Sequence, residues 1–147
     1  MAGKIDARLK ELGITLPDAP APAANYVPWV RSGNLVFIAG QLPMEGGKAQ
    51  FVGKLGHEFQ TADGQKAARL CALNIVAQLR NALAGDLDRV RRIVRVGGFV
   101  ASAADFTDHP QVVNGASDTL VQIFGEAGKH ARAAVGVASL QIGRAHV

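Results

Sequence analysis

The chain has little sulfur, few aromatic rings and no long apolar run. A single cysteine, Cys71, occurs in 147 residues, so no internal disulfide can form. It falls in a helical pattern, where cysteine packs as a small apolar side chain. That usage fits a reducing cytoplasm. Aromatic residues make up 5% of the chain, which offers no platform for stacking nucleotide bases. No apolar run reaches the roughly 18 residues that a membrane-crossing helix needs. Residues Met1 to Leu9 carry charges where a secretion signal needs an apolar centre. The four histidines are far apart and joined by no cysteine or carboxylate cluster, so no metal is expected. His57, His109 and His130 show no pairing suited to acid–base cleavage of RNA. No glycine-rich phosphate loop with its lysine is present.

The residues that are there describe an ordinary soluble domain. Apolar residues make up 48% and charged residues 19%, and the length suits one domain with a real core. The formal net charge is +4, mildly basic. The basic residues are scattered. Their densest cluster, Arg89, Arg91, Arg92 and Arg95, lies among valines and isoleucines of strand character. No nucleic-acid partner and no membrane are expected.

Ile5, Leu9 and Leu12 recur at helical spacing, and Gly13 can end that helix. Leu16 to Pro22 is a proline-rich connector. Tyr26–Val30 and Leu35–Ala39 have strand character, with Ser32-Gly33-Asn34 as the turn between them. Pro43 to Gly56 is glycine-rich, with a short strand expected near Phe51. Thr61 can cap a long helix whose apolar stripe is Ala68, Cys71 or Ala72, Ile75, Leu79 and Ala82. Gln65, Arg69, Asn74, Gln78 and Asn81 fall largely outside the stripe. Gly85 ends the helix. A strand from Val90 to Ala101 follows, with a bulge expected at Gly97-Gly98. Asp108 and Pro110 open a second long helix that buries Val113, Ala116, Leu120, Ile123 or Phe124, and Ala127, and Gly128 closes it.

The pattern implies an α+β domain with a two-layer mixed sheet and both long helices on one face. The opposite face needs cover from elsewhere. Hairpin residues such as Trp29, Val36 and Ile38 could present it as an apolar surface, and such a surface points to oligomerisation. Residues 1–24 form the N-terminal helix and connector, and 25–140 form the domain proper.

The last strand carries the clearest chemical signal. From His130 to Leu140, side chains alternate with a period of two, so Arg132, Ala134, Gly136 and Ala138 share one face. A guanidinium beside an alanine and a glycine has room in front of it. Its planar fork of donors suits a bidentate carboxylate or phosphate. The same pattern also fits a plain surface arginine on an edge strand.

Four motifs, in order, carry a resemblance. They are Ala39-Gly40-Gln41-Leu42-Pro43; Asp86 to Val96; Asp105-Phe106 with Val113-Asn114; and Ala131-Arg132 with Val135 to Leu140. Over about residues 25 to 140 the chain resembles the RidA/YjgF family, also called endoribonuclease L-PSP. Its N-terminal helix resembles that of a longer subgroup. The resemblance implies a chorismate-mutase-like fold, assembled as a homotrimeric barrel with ligand sites in clefts between subunits. It implies hydrolysis of reactive 2-imino and enamine acids to 2-oxo acids and ammonia, with no cofactor. Arg132 would hold the substrate carboxylate, jutting into the intersubunit cleft. Gly40 would let substrate approach the backbone, Tyr26 would orient substrate or water, and Asn114 would be contributed across the subunit cleft. Ala39 joins the substrate-binding set where the family commonly has serine. Gln41 is adjacent and polar, with a role confined to the sheet as its alternative.

Departures from the family pattern favour a second reading, a trimer that binds small carboxylates, or regulates through them, without turnover. Ala134 stands where a cysteine is common, and no carboxylate follows Glu126. Residues 141–147 read as a non-native tail in place of the family's last strand. Ile142 to Val147 matches what one frame of a sequencing-library adapter encodes.

Overall fold

The computed structural model describes residues 3–22 and 24–140. Its elements are α1 (Lys4–Glu11), β1 (Trp29–Ser32), β2 (Leu35–Ile38), β3 (Met44–Glu45), β4 (Lys48–Ala49), α2 (Thr61–Ala82), β5 (Arg95–Ala101), α3 (His109–Phe124) and β6 (Ala131–Val137). Short 3-10 turns lie at Leu87–Arg89 and Gly125–Gly128. The tail at 141–147 lies outside the described residues.

The α+β class holds. Strand pairing is mixed, as expected, but the described residues divide into three two-stranded ladders. β1–β2 and β3–β4 are antiparallel, and β5–β6 is parallel. The parallel pair is joined through α3, the crossover that parallel strands require. Helices cover one side of it. Val96 and Val100 face the core, while Phe99 and Val135, a cross-strand pair on the other side, are exposed.

Asp63, three residues beyond Gln60, accepts the Gln60 amide at 3.0 Å and starts α2 one residue before the expected Thr61 cap. Two glycines inside helices let α2 and α3 pack closely. A Cβ on Gly115 would stand 2.8 Å from the Gln65 carbonyl carbon, and one on Gly64 would stand 2.9 Å from Val112 Cγ2. The core so formed joins Ala68, Ala72 and Val76 of α2 to Ala116, Leu120 and Ile123 of α3, with Leu9, Leu16, Leu87 and Val96 around them. Each fully buried leucine or isoleucine there contributes about 1.5–3 kcal/mol.

Several expectations are corrected. No bulge interrupts β5, because Gly97 pairs with Ala133 and Gly98 with Ala134 in unbroken register. Gly98 is small because Val113 of α3 lies against it, and a Cβ would reach 2.9 Å from Val113 Cγ1. β5 starts at Arg95, since the chain from Leu87 first makes a 3-10 turn. β1 starts at Trp29, leaving Tyr26 outside it; Pro28 has no N–H for the ladder, though its carbonyl accepts the Ala39 amide at 3.0 Å. Instead of a strand at Phe51, a tight hairpin forms at Met44–Ala49, turning on Gly46 and Gly47, both at positive φ. The exposed hairpin face is also the reverse of the one expected. Val36 and Ile38 pack on the core, and Val30, Leu35 and Phe37 face outward.

Candidate functional site

Arg132 stands on the helix-facing side of β6, next to Ala134 and Gly136, as the alternation requires. It is half-buried. Its guanidinium is held by three bonds from its own chain. Nη1 donates to Asn114 Oδ1 at 2.7 Å and to Ser117 Oγ at 3.2 Å, and Nη2 donates to the Pro110 carbonyl at 3.2 Å. All three acceptors are neutral, and all lie on α3. An arginine has five N–H donors. Nε–H and one N–H of Nη2 therefore carry no hydrogen bond to the described residues. No carboxylate pairs with Arg132 among those residues.

Two expectations change here. Asn114 meets Arg132 within one chain rather than across a cleft. The space along β6 beyond Arg132 is also partly filled. A Cβ on Gly136 would lie 2.8 Å from His109 Cε1 and 2.7 Å from Ser102 Oγ. Glycine at 136 thus makes room for a histidine from the first turn of α3. That imidazole shares a 3.0 Å hydrogen bond with the nearly buried Ser102 and meets Phe106 edge-on, with ring centres 5.4 Å apart.

A second serine–histidine pair lies on the other side of Arg132. Ser117 Oγ and His130 Nε2 are 2.9 Å apart, and His130 Nδ1 is 2.6 Å from the Gly128 carbonyl. A carbonyl can only accept, so Nδ1 carries the proton. In the neutral ring Nε2 then accepts from the Ser117 hydroxyl, whose oxygen accepts from Arg132. Neither serine–histidine pair is expected from the sequence. For the second, the signal lies in two spacings, Asn114 to Ser117 at i,i+3 on a helix and His130 to Arg132 at i,i+2 into a strand.

The other candidates sit at the ends of hairpin β1–β2. Tyr26 is 43% exposed, Gly40 is exposed and Ala39 is half-buried. The hydrogen bonds around Arg132 take in neither Ala39 nor Gly40. Buried Gln41 donates to the Ala39 carbonyl at 2.9 Å, which gives it a structural role. Asn74 and Gln78 are also buried rather than solvated. Asn74 donates to the Leu42 and Met44 carbonyls at 3.0 and 3.2 Å, and Gln78 donates to the Pro20 carbonyl at 2.8 Å. These amides fix the chain after Gly40 and the connector against α2.

A surface cleft of about 610 Å³ lies elsewhere, between the start of α1 and Ala84 to Asp88, and includes none of these residues. Among the described residues no group of three or more histidine, cysteine or acidic side chains could hold a metal. No helix among them is long and apolar enough to cross a membrane.

The molecule is an α+β protein whose last strand carries an arginine anchored to its second long helix. A sequence profile of the family described as "YjgF/chorismate mutase-like, putative endoribonuclease" matches residues 6–142, and the chain belongs to that family. It is 49% identical over 145 residues to Protein TCP17 of Trypanosoma cruzi, covering 98% of this chain and 90% of that one. The crystal structure of Atu1372 from Agrobacterium tumefaciens, a protein of unknown function, is 50% identical, with a TM-score of 0.90 over 97% of this chain and 87% of that chain. A Shewanella oneidensis structure described as a "putative endoribonuclease" is 34% identical, with a TM-score of 0.94 over 98% and 95% of the two chains.

Proposed function

We propose that this protein hydrolyses small 2-imino or enamine acids to 2-oxo acids and ammonia, with Arg132 holding the substrate carboxylate. One observation carries the reading. A half-buried guanidinium is fixed by three neutral oxygens and has no carboxylate partner among the described residues. A cation so placed lacks a counter-charge, and its two remaining donors match the two oxygens of a carboxylate. The three internal bonds set its direction and leave its charge uncompensated.

The reaction asks little else of the protein. The C=N carbon of a 2-imino acid is already electrophilic, water adds to it, and the adduct collapses to the ketone with loss of ammonia. Holding the acid group and a water in register supplies the rate gain. Tyr26 would orient that water or the substrate, and Gly40 would let the reacting carbon approach the backbone. We place these groups together in an assembly of three copies, closed over the exposed apolar residues Val30, Phe37, Phe99 and Val135.

The test is 2-oxo acid release from freshly generated 2-iminopropionate. Arg132→Ala is expected to lower kcat/KM about 100-fold, the loss of two charge-assisted hydrogen bonds. Equal rates for the two proteins would remove the proposal. Ala39 and Ala134 add no polar side-chain atom near the ligand and favour the second reading, carboxylate binding without turnover. Under that reading Arg132 governs binding of pyruvate while neither protein releases product.

A further inference from the structure

We infer that Ser117 and His130 are positioning residues that hold Arg132 in its ligand-binding rotamer. This rests on Arg132 being the carboxylate anchor. An arginine side chain has several rotatable bonds, so an arginine tethered at one point would still sweep a wide arc. Here Asn114 and Ser117 grip the same nitrogen, Nη1, from one face of α3. Two acceptors on one nitrogen define the plane of the guanidinium, and the Pro110 carbonyl on Nη2 fixes the tilt within that plane.

Ser117 can accept from Arg132 in a fixed direction only if its own proton has somewhere to go. His130 provides that place. Its Nδ1–H is committed to the Gly128 carbonyl, which leaves Nε2 as an acceptor aimed at Ser117 Oγ. The chain of bonds therefore runs from Arg132 through Ser117 and His130 to the turn that ends α3. Each hydroxyl and ring hydrogen in it has one direction. Ser117 is not a nucleophile in this arrangement. It lies inside α3, where backbone N–H groups are bonded along the helix and cannot stabilise an oxyanion.

The test compares pyruvate with its neutral amide as binding probes, by calorimetry on the full chain. Ser117→Ala is expected to weaken pyruvate binding about 10-fold, the scale of one lost hydrogen bond to a charged group, and to leave the amide unchanged. His130→Phe keeps the ring's bulk, removes the acceptor and should weaken pyruvate similarly. Ser117→Thr keeps the hydroxyl and should restore binding to near the parent value. In an Arg132→Ala background, Ser117→Ala should add nothing, because its effect passes through the arginine. Nitrogen-15 NMR supplies a readout that needs no ligand, with neutral His130 expected as the Nδ1–H tautomer.

An Nε2–H tautomer, or Ser117→Ala and His130→Phe proteins that bind pyruvate like the parent while Arg132→Ala does not, would overturn the positioning role alone. An Arg132→Ala protein that binds pyruvate as well as the parent would overturn the anchor, and this role with it. Parallel losses for pyruvate and its amide would mark a general structural effect and also overturn it.

Discussion

Single residues decide two features of this molecule that helix and strand patterns do not. At the start of α1, Asp88 accepts the amides of Lys4 and Ile5, each at 2.9 Å, and so caps a helix more than eighty residues away in sequence. Gly3 leaves room for it, since a Cβ there would press on the carboxylate at 2.5–2.9 Å. The Ile5 amide, and then that of Lys4, hold the Asp88 carboxyl below its ordinary value of 3.8. A depressed carboxyl stabilises the fold fully above the unfolded value and loses that contribution as pH falls through the lower, folded one. In an acid titration the Ile5 amide resonance should therefore move with a midpoint below 3.8, and Asp88→Asn should abolish the transition. A midpoint at or above that value would contradict the cap. The second feature is Arg132. Its face on β6 is legible from alternation alone, but its partners are not, because periodicity places a side chain on a surface without saying what the neighbouring element brings to it.

Among the elements, the helices are the most legible, since an apolar stripe recurring every three to four residues over several turns fits a helix and not a strand. Their contacts are less so. Asn74 and Gln78 look like solvent-facing residues of α2, yet both are buried because backbone carbonyls of the connector and of the segment after Gly40 come to meet them. A pattern based on hydropathy cannot see an amide that is satisfied from outside its own helix. Gly97-Gly98 is ambiguous for a related reason, since glycine in a strand marks either a bulge or a close neighbour, and for Gly98 the neighbour is Val113. Gly115 carries a weaker signal, although a glycine inside a helix often has a packing reason. Its contact is with the Gln65 backbone, which cannot turn aside as a side chain would. Gly115→Ala should therefore force α2 and α3 apart and cost about 2–3 kcal/mol or more, visible as a lowered denaturant midpoint. A midpoint within error of the parent would show that the crossing has slack.

At the scale of the whole molecule, the class and the one-sided placement of the helices follow from the sequence, and the need to cover the far side follows from them. The residues on that side do not. Composition alone turns Trp29, Val36 and Ile38 outward, whereas Val30 and Phe37 form the exposed cross-strand pair. The hairpin's phase depends on which face meets α2, and strand composition is apolar on both. If three copies close over these surfaces, Phe99→Asp should dissociate the assembly. Light scattering would then find a monomer where the parent is a trimer, and a monomeric parent would remove the trimer. Loss of turnover on dissociation, with retained secondary structure, would further tie the reaction to the assembled state.

The three tethers on the guanidinium also bear on kinetics. If Arg132 is the carboxylate anchor, its guanidinium is already held in place before any ligand arrives and has no slow rearrangement to complete afterwards. Stopped-flow mixing with pyruvate should thus give a single exponential whose rate rises linearly with ligand concentration. A plateau at high concentration would reveal an arm that has to swing first.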